Sequence, residues 1–494
     1  MSHLDSCDQS SRDDHNLHSL PDETCRSYDN QYRLSFDQSN ANKEVGMSLT
    51  EAPRVRKSSM GKTAFAVGIG NFMEWFDFAV YGYFAAVVGA LFFASDDPMI
   101  GLLSSLSVFA VGFVMRPLGG LIFGPIGDRK GRKFALVLSV LLMGVATTLI
   151  GCLPTFHDIG VTATVLLVAL RMVQGLSAGG EGASAITFLI ESAPTNRRGL
   201  VGSVIPASAA LSFVAGSFAA LLVNSLLGET EMLAWGWRIP FLIAAPLSII
   251  GLYVRLRIEE SPVFEALVEK DELATSPLKL PLVNGWRSPL VAFAVSAVGG
   301  TGIYFLATYM NTQLSTVAGF PKTTALTLMT VALISYMALC PFAGWLADRF
   351  GRRPINLLGT IGHLVLTIPV FLLVGSGSQA AALLGLVLMA ISQSMVVVTN
   401  FVIIVELFPA ASRSSSVSLA YNLALAFVAG PGPFVAAWLF TSTGNPLSPA
   451  FYLIGVAAVC LPILLAWLPE TLGRNLFRSH SIEETAPLET VSEK

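Results

Sequence analysis

Two acidic residues, Glu74 and Asp77, lie inside a long apolar stretch of the sequence. Their spacing places both carboxylates on one face of a helix, and both fall near the middle of the stretch. An ionisable side chain at bilayer depth costs about 2.5–3.5 kcal/mol on insertion scales, so it marks a functional candidate. We expect the two carboxylates to share a water-filled cavity and to bind protons there.

Arg171 lies near the middle of another apolar stretch, and Glu181 follows it in the same stretch. A buried arginine needs a carboxylate partner. It holds that carboxylate ionised, and the carboxylate takes up a proton when the two groups separate. Such a pair would link proton occupancy to conformation. The alternative is a static salt bridge that holds two helices together.

Arg116 lies in a third apolar stretch, ahead of a proline and a pair of glycines. Its planar guanidinium suits bidentate contact with a substrate carboxylate. The alternative, equally open at this point, is a structural partner for Glu74 or Glu181. Counting Glu74, Asp77 and Glu181 against Arg116 and Arg171 leaves one surplus acid and no spare cation. The count favours a zwitterion, or a monocarboxylate carried with a proton, over a tricarboxylate.

The second half of the chain has aromatic and amide side chains, but no charge, at the middle of its apolar stretches. Such groups orient a ligand by hydrogen bonds or offer an aromatic face to a quaternary ammonium, although most of them serve helix packing. Together with Arg116 and Glu181, the substrate-binding candidates are Tyr81, Tyr304, Tyr309, Asn400 and Asn422. Further candidates of the same class are Asn311, Tyr336, Gln393 and Tyr421.

Membrane-spanning helices must position these groups. Of the 494 residues, 53% are hydrophobic and 13% are charged, against roughly 25% charged in a soluble domain. A bilayer core needs roughly 20 apolar residues per helix. Windows of that size fall at about 63–94, 100–122, 134–154, 161–190, 200–227, 237–257, 288–313, 323–347, 355–375, 378–406, 414–441 and 449–468. The sequence therefore predicts an all-α integral membrane protein with twelve transmembrane helices in two six-helix pseudo-repeats.

The predicted domain boundaries follow these windows. Residues 1–60 are rich in Ser, Asp, Asn and Gln, a composition typical of a disordered tail. The other segments are an N-terminal bundle at 61–257, a polar central loop at 258–287, a C-terminal bundle at 288–468 and a tail at 469–494. Lysine and arginine concentrate in the loops on one side, which is therefore predicted to be cytoplasmic. We expect both termini on that side of the plasma membrane, and a monomer.

Several other classes of function are not expected. The net charge of -3 is too small to indicate a nucleic-acid partner. The five cysteines have no metal-binding spacing, and the sequence has no Walker A motif, so we predict neither a metal nor a cofactor. Only His157 and His363 fall in the membrane region, near loop or helix ends in different halves, so we do not expect an enzyme. The expected partners are a small solute, protons and the lipid bilayer.

Two motifs recur at matching places in the two halves. The run Gly124–Lys133 returns as Gly344–Arg353, each time between the second and third helix of a half. The pattern E-x-x-P-x-x-x-R follows the fourth helix of each half. Aspartates in such loops cap helix ends and meet arginines across the interface between halves. The predicted gating residues are Asp128, Arg129, Arg132, Asp348, Arg349 and Arg352, with Glu191 paired to Arg198 and Glu406 paired to Arg413.

These motifs resemble the major facilitator superfamily, whose signature has the form G-x-x-x-D-R-x-G-R-[RK]. The run Gly70–Gly82 is similar to the first helix of its metabolite:H+ symporters, and the similarity spans about residues 60–470. Further supporting runs are Met115–Gly120, Gln174–Glu181 and Trp235–Pro240. The resemblance implies two bundles that rock around a central site. Sugar porters of the superfamily couple protons through an acid in the first helix and an arginine in the fourth, and Asp77 and Arg171 fit those positions.

The resemblance implies proton symport but leaves the solute open. The metabolite:H+ symporters include carriers of proline and betaine, 2-oxoglutarate, citrate, shikimate and aromatic acids. The runs Leu306–Met310 and Asp348–Pro354 lean toward the proline/betaine branch. We therefore expect a proton-coupled importer of a small polar osmolyte such as proline or glycine betaine. The alternatives are proton symport of an organic acid and, more remotely, proton-driven export of drugs.

Overall fold

A computed structural model of the chain describes residues 60–93, 98–272 and 285–477. They all lie within one unit, Lys57–Lys494. The predicted N-terminal tail, apart from Met60, and the end of the predicted C-terminal tail lie outside the described residues.

The first half begins with a bent span. Its two helices are α1, Met60–Tyr83, and α2, Ala85–Phe92, and they meet at an angle of 66°. The break falls at Phe84, two residues after Gly82. The remaining long helices of this half are α3 Pro98–Lys130, α4 Arg132–Cys152, α5 Val161–Ser192, α6 Val204–Leu226 and α7 Arg238–Leu256.

A short amphipathic helix, α8, Pro262–Glu269, lies in the polar segment between the halves. Ser261 caps it, because its hydroxyl accepts a hydrogen bond of 3.1 Å from the backbone N–H of Phe264. Val263, Phe264 and Leu267 are buried. The polar segment is therefore partly helical and packed, whereas its composition alone indicated only a loop.

The second half has six further spans, two of them interrupted by π-helical turns. Its helices are α9 Arg287–Tyr304, α10 Lys322–Phe350, α11 Arg352–Val374, α12 Gln379–Glu406, α13 Arg413–Ala424, α14 Gly432–Thr443 and α15 Ala450–Trp467. The π-helical segments Phe305–Tyr309 and Gln313–Val317 extend α9, and Leu425–Ala429 joins α13 to α14.

Eleven helical segments in the described residues are long and apolar enough to cross a bilayer, and the bent pair α1–α2 brings the number to twelve when counted as one span. No strand occurs among the described residues. The prediction of an all-α chain with twelve spans, six in each half, is confirmed.

Helices α3 and α5 pack with their backbones in contact, which positions two of the buried arginines. A Cβ atom at Gly175 would overlap the carbonyl oxygen of Gly112, and one at Gly179 would overlap that of Arg116. Small residues allow such close approach between membrane helices. The contact therefore fixes Arg116 on α3 relative to Arg171 on α5.

The two halves contact each other at the end of the bundle that carries the basic loops, called here the basic end. There α3 packs against α13, and α10 packs against α6 and the short helix Arg198–Gly202 that precedes it. Gly131 and Gly351, in the two copies of the loop motif, both have a φ of 105°. Glycine adopts this conformation readily, so each copy turns sharply into the next helix, α4 or α11.

Candidate functional site

A cavity lies between the two halves, near the middle of the bundle. Its wall includes side chains of α1, α9, α10, α12 and α13, among them Glu74, Trp75, Tyr304, Tyr336, Asn400 and Tyr421. The cavity has a volume of about 30 Å³, which is room for about two water molecules. Of the predicted site residues, Glu74, Tyr304 and Asn400 are thus brought together around one space.

Glu74 on the cavity wall forms an ion pair with Arg116. The two side chains are 2% and 1% exposed, and Arg116 Nη2 lies 2.8 Å from Glu74 Oε1. The guanidinium carbon also lies 5.6 Å from the ring centre of Trp75, 4.8 Å from that of Phe78 and 5.3 Å from that of Phe113. Of the two possible carboxylate partners of Arg116 that the sequence left open, the structure therefore selects Glu74.

Three polar atoms of residues on the cavity wall lack a hydrogen-bond partner among the described residues. They are Glu74 Oε2 and the hydroxyls of Tyr304 and Tyr336. Buried polar groups are nearly always hydrogen-bonded, so unpaired ones need an explanation such as a bound ligand or water. Trp75 and Phe113 surround Tyr304, with ring centres 6.0 Å and 5.5 Å away.

Asp77 and Arg171 form a second buried pair. Arg171 Nη1 lies 3.4 Å from Asp77 Oδ2, and the side chains are 1% and 2% exposed. The guanidinium carbon stacks 3.6 Å above the ring centre of Tyr81, whose hydroxyl donates to the carbonyl of Ser105. The pair expected from the sequence is thus present, and Tyr81 contacts Arg171 rather than the cavity wall.

Glu181 belongs to a third ion pair, which sequence analysis missed. Its Oε1 accepts from Arg255, and its Oε2 accepts from Ser139 Oγ at 2.8 Å. Arg255 Nη1 also donates to the carbonyl of Leu136 at 2.7 Å. The inferred surplus acid was therefore wrong, because Arg255 balances Glu181. Arg255 escaped notice because it lies near the end of its apolar window, where arginines usually reach the membrane surface.

The candidates from the second half have several distinct positions. Asn400 accepts a hydrogen bond from Ser296 at 3.1 Å and lines the cavity. Asn422 joins the halves, since its amide donates to the carbonyl of Gly179 at 2.7 Å. Tyr309 donates to Gln313 at 3.2 Å and is not part of the cavity wall. Trp75 and Phe401 line the cavity but were not among the sequence candidates.

His363 lies in the middle of α11, so its predicted place near a helix end was wrong. It is 2% exposed, and its Nε2 lies 3.0 Å from Gln393 Oε1. The Gln393 amide donates to the carbonyl of Gly299 at 2.8 Å. Among the described residues, no cluster of three or more His, Cys, Asp or Glu could hold a metal ion.

At the basic end, each half caps a helix of the other half. Asp128 accepts from the backbone N–H groups of Ser414 and Ser415, at 3.0 Å and 2.8 Å, at the start of α13. Asp348 accepts from the backbone N–H groups of Gly199 and Leu200, both at 2.8 Å. Arg132 and Arg352 complete the two caps, at 3.2 Å and 3.0 Å from the aspartates. A negative charge at a helix N-terminus is stabilising.

The two E-x-x-P-x-x-x-R motifs exchange partners between the halves. Glu191 pairs with Arg413 at 2.8 Å, and Glu406 pairs with Arg198 at 2.9 Å. The predicted pairing within each motif was therefore wrong, because each arginine begins a helix that faces the opposite half. Arg132 and Arg352 lie 3.4 Å and 3.6 Å from Glu191 and Glu406 respectively, so the caps and the exchanged pairs form one network.

Arg129 and Arg349 differ from the other predicted gating residues, because both are exposed. The guanidinium of Arg349 stacks on two aromatic rings of its own helix, those of Trp345 and Phe350, at 5.5 Å and 5.6 Å. The loop motif thus contributes its aspartate and its second arginine to the interface.

A third repeated element, not recognised in the sequence, supports the network from outside the spans. Glu260 accepts from the backbone N–H of Lys133 at 3.1 Å, and Glu470 accepts from that of Arg352 at 2.9 Å. The next residue in each case, Ser261 or Thr471, donates to Glu191 or Glu406. Burial raises the pKa of the Glu260 carboxyl, and the backbone N–H groups that it accepts from oppose this effect. The repeated pattern is only two residues long, Glu followed by Ser or Thr, and so short a pattern recurs by chance in any sequence.

Comparison with known proteins is consistent with this architecture. The family model described as Major Facilitator Superfamily matches residues 67–431. The "Proline/betaine transporter" of Escherichia coli K12 is 36% identical over 439 residues, with 87% of each chain covered. The "Ectoine/proline transporter ProP" of Corynebacterium glutamicum is 37% identical, with 84% of this chain and 85% of that chain covered.

A solved structure of the proton:xylose symporter XylE, bound to 6-bromo-6-deoxy-D-glucose, has a similar fold. Its TM-score is 0.72 at 16% identity, with 86% of this chain and 98% of that chain covered. The family match covers most of the chain and includes both copies of the loop motif. The chain belongs to the Major Facilitator Superfamily and has the fold of its membrane transporters.

Proposed function

We propose that the protein imports a small zwitterionic osmolyte of the proline and betaine class together with protons. The similar proteins named above include proline, betaine and ectoine transporters. The observation that carries the proposal is the cavity between the halves, whose wall has one carboxylate oxygen, Glu74 Oε2, and the Tyr304 hydroxyl without hydrogen-bond partners, beside aromatic rings. These groups suit a compact solute with a positive charge.

The charge balance argues for a zwitterion over an organic acid. Each of the acids Glu74, Asp77 and Glu181 has its own arginine. No arginine of these three pairs is left over for a second or third carboxylate of a ligand. A solute that carries both charges can enter without leaving a buried charge unbalanced.

Proton coupling is assigned to Asp77 and Arg171. Their separation of 3.4 Å is longer than that of an ideal charge-assisted hydrogen bond, so this ion pair is weaker than an ideal one. A proton on Asp77 would remove its attraction to Arg171 and let α1 and α5 shift. Glu74 is three residues away on the same helix and connects this pair to the cavity.

The network at the basic end acts as the inner gate. In this structure its caps and exchanged ion pairs join the halves. We assign this end to the cytoplasm, because its loops carry most of the lysine and arginine residues. Both termini then lie in the cytoplasm, and a monomer in the plasma membrane is sufficient for alternating access.

The test is uptake of radiolabelled proline and glycine betaine into transport-deficient cells, with and without a protonophore. Uptake should be uphill and should fall to equilibration when the proton gradient is collapsed. Asp77→Asn should abolish accumulation, whereas Asp158→Asn, which changes an exposed acid in the short helix Phe156–Ile159 before α5, should not. Retained uphill uptake in Asp77→Asn would refute the coupling role. Uptake of 2-oxoglutarate or shikimate alone would refute the choice of solute.

A further inference from the structure

The Glu74–Arg116 pair occupies the aromatic pocket beside the cavity. Three rings surround the guanidinium of Arg116, those of Trp75, Phe78 and Phe113. The space left over is only about 30 Å³, enough for water but not for a solute the size of an amino acid. A ligand therefore has to displace part of what fills the pocket now.

What fills the pocket is itself a pair of opposite charges. A carboxylate and a cation lie 2.8 Å apart, and the cation rests against aromatic faces. A betaine has the same three features in one molecule: a carboxylate, a nearby positive nitrogen and a methylated surface that binds aromatic rings. The internal ion pair thus resembles the proposed solute.

We propose that the solute enters by exchange of ion pairs, so that the Glu74–Arg116 contact opens and each side chain takes one charge of the zwitterion. The solute carboxylate pairs with Arg116. Its ammonium pairs with Glu74, whose Oε2 is already free, and packs against Trp75 and Tyr304 on the cavity wall. The inference rests on the proposed function and adds which residues recognise which charge.

The exchange makes selectivity a matter of charge balance. A zwitterion replaces one internal contact by two equivalent ones and leaves no charge unpaired. An anion would pair with Arg116 and leave Glu74 without a partner. A cation would pair with Glu74 and leave Arg116 without a partner. Both carry the cost of a buried unpaired charge. Selectivity therefore requires both members of the pair.

Three probes of similar shape separate these cases. Glycine betaine carries both charges, its carbon isostere tert-butylacetate carries only the carboxylate, and choline carries only the ammonium. Each is used to inhibit exchange of radiolabelled proline in proteoliposomes of the full-length protein, without a proton gradient. In the wild type, tert-butylacetate and choline should bind about 10–100-fold more weakly than glycine betaine.

The variant Glu74→Gln removes the ammonium partner and leaves Arg116. The ratio between the affinities for glycine betaine and tert-butylacetate should fall by about tenfold or more. Glu74→Asp keeps the charge and should keep the ratio. Glu181→Gln makes the same change in the neighbouring Glu181–Arg255 pair, away from the cavity wall, and should leave the ratio as in the wild type whatever it does to total activity.

The inference is overturned if the wild type fails to distinguish glycine betaine from tert-butylacetate, a result that needs no variant to fold. It is also overturned if Glu74→Gln and Glu181→Gln change the ratio equally. In either case uphill, protonophore-sensitive uptake of glycine betaine by the wild type would leave the proposed function standing. Absence of that uptake would instead refute the proposed function itself.

Discussion

The Glu74–Arg116 and Glu181–Arg255 pairs have the same chemistry but different surroundings. Both oxygens of Glu181 are hydrogen-bonded, to Arg255 and to Ser139. Glu74 has one bonded oxygen and one free oxygen, and it faces a cavity. A completely bonded pair between helices is suited to fixing their positions. A partly bonded pair next to empty space is suited to changing partners.

The carboxylates of the proposed gate resemble that of the complete pair. Glu191 contacts Arg413 and Ser261 through different oxygens, and Glu406 contacts Arg198 and Thr471 in the same way. The contrast is therefore between carboxylates whose two oxygens are both hydrogen-bonded and Glu74, which has one oxygen without a partner beside a cavity.

The largest expected effect comes from breaking the complete pair. Arg255→Leu leaves Glu181 buried without its cation, which costs about 3–5 kcal/mol of folding stability. Thermal unfolding of the purified protein in detergent measures the loss. The double variant Glu181→Leu/Arg255→Leu should recover most of it, because removing both charges of a buried pair is close to neutral.

The loss of stability in Arg255→Leu is compared with that in Glu74→Gln, which breaks the partly bonded pair. Three aromatic rings remain around Arg116 after the substitution, so the loss of stability should be clearly smaller. The contrast between the two pairs is wrong if Glu74→Gln lowers the unfolding temperature as much as Arg255→Leu does.

An intermediate effect is expected at the gate. A double-mutant cycle on Glu191 and Arg413 should give a coupling free energy of about 1–3 kcal/mol, because the two side chains are in contact. The same cycle on Glu191 and Arg198, which share a sequence motif but no ion pair, should give a clearly smaller value. Unfolding in detergent supplies all the free energies. Equal coupling in the two cycles would contradict the exchange of partners between halves.

The smallest effect is expected for an arginine of the loop motif that stays outside the network. Arg349→Ala removes an exposed side chain that stacks on its own helix, and it should change stability by no more than about 0.5 kcal/mol. Arg352→Ala, three residues further on, removes contacts with Asp348 and Glu406 and should reduce both stability and initial uptake. Similar losses in the two variants would place Arg349 in the gate.

The sequence was sufficient for features that depend on composition and on spacing along one helix. Apolar windows gave the twelve spans, and the intramembrane charges Glu74, Asp77 and Arg171 stood out because charges are rare there. The two copies of the loop motif identified Asp128 and Asp348 as interface residues. The resemblance to the sugar porters of the superfamily indicated a pair of Asp77 with Arg171, and the structure contains that ion pair. The role of the pair in proton coupling stays a prediction.

Features that depend on contacts between distant segments could not be predicted from the sequence. A repeated motif does not say whether its glutamate pairs with its own arginine or with that of the other copy, so the exchange between Glu191 and Arg413 was missed. Arg255 was missed because an arginine near a helix end usually reaches water. The bend at Phe84 lies inside the single apolar window 63–94, so hydropathy alone did not reveal it.

The reciprocal caps at the basic end have a consequence for how the proposed gate would open. Asp128 belongs to the first half and holds a helix of the second, while Asp348 belongs to the second and holds a helix of the first. Separating the halves must therefore uncover two carboxylates and two helix N-termini together. A partly opened interface would break these hydrogen bonds before there is room for water to replace them. The proposed inner gate should therefore open in one cooperative step, with few intermediate states.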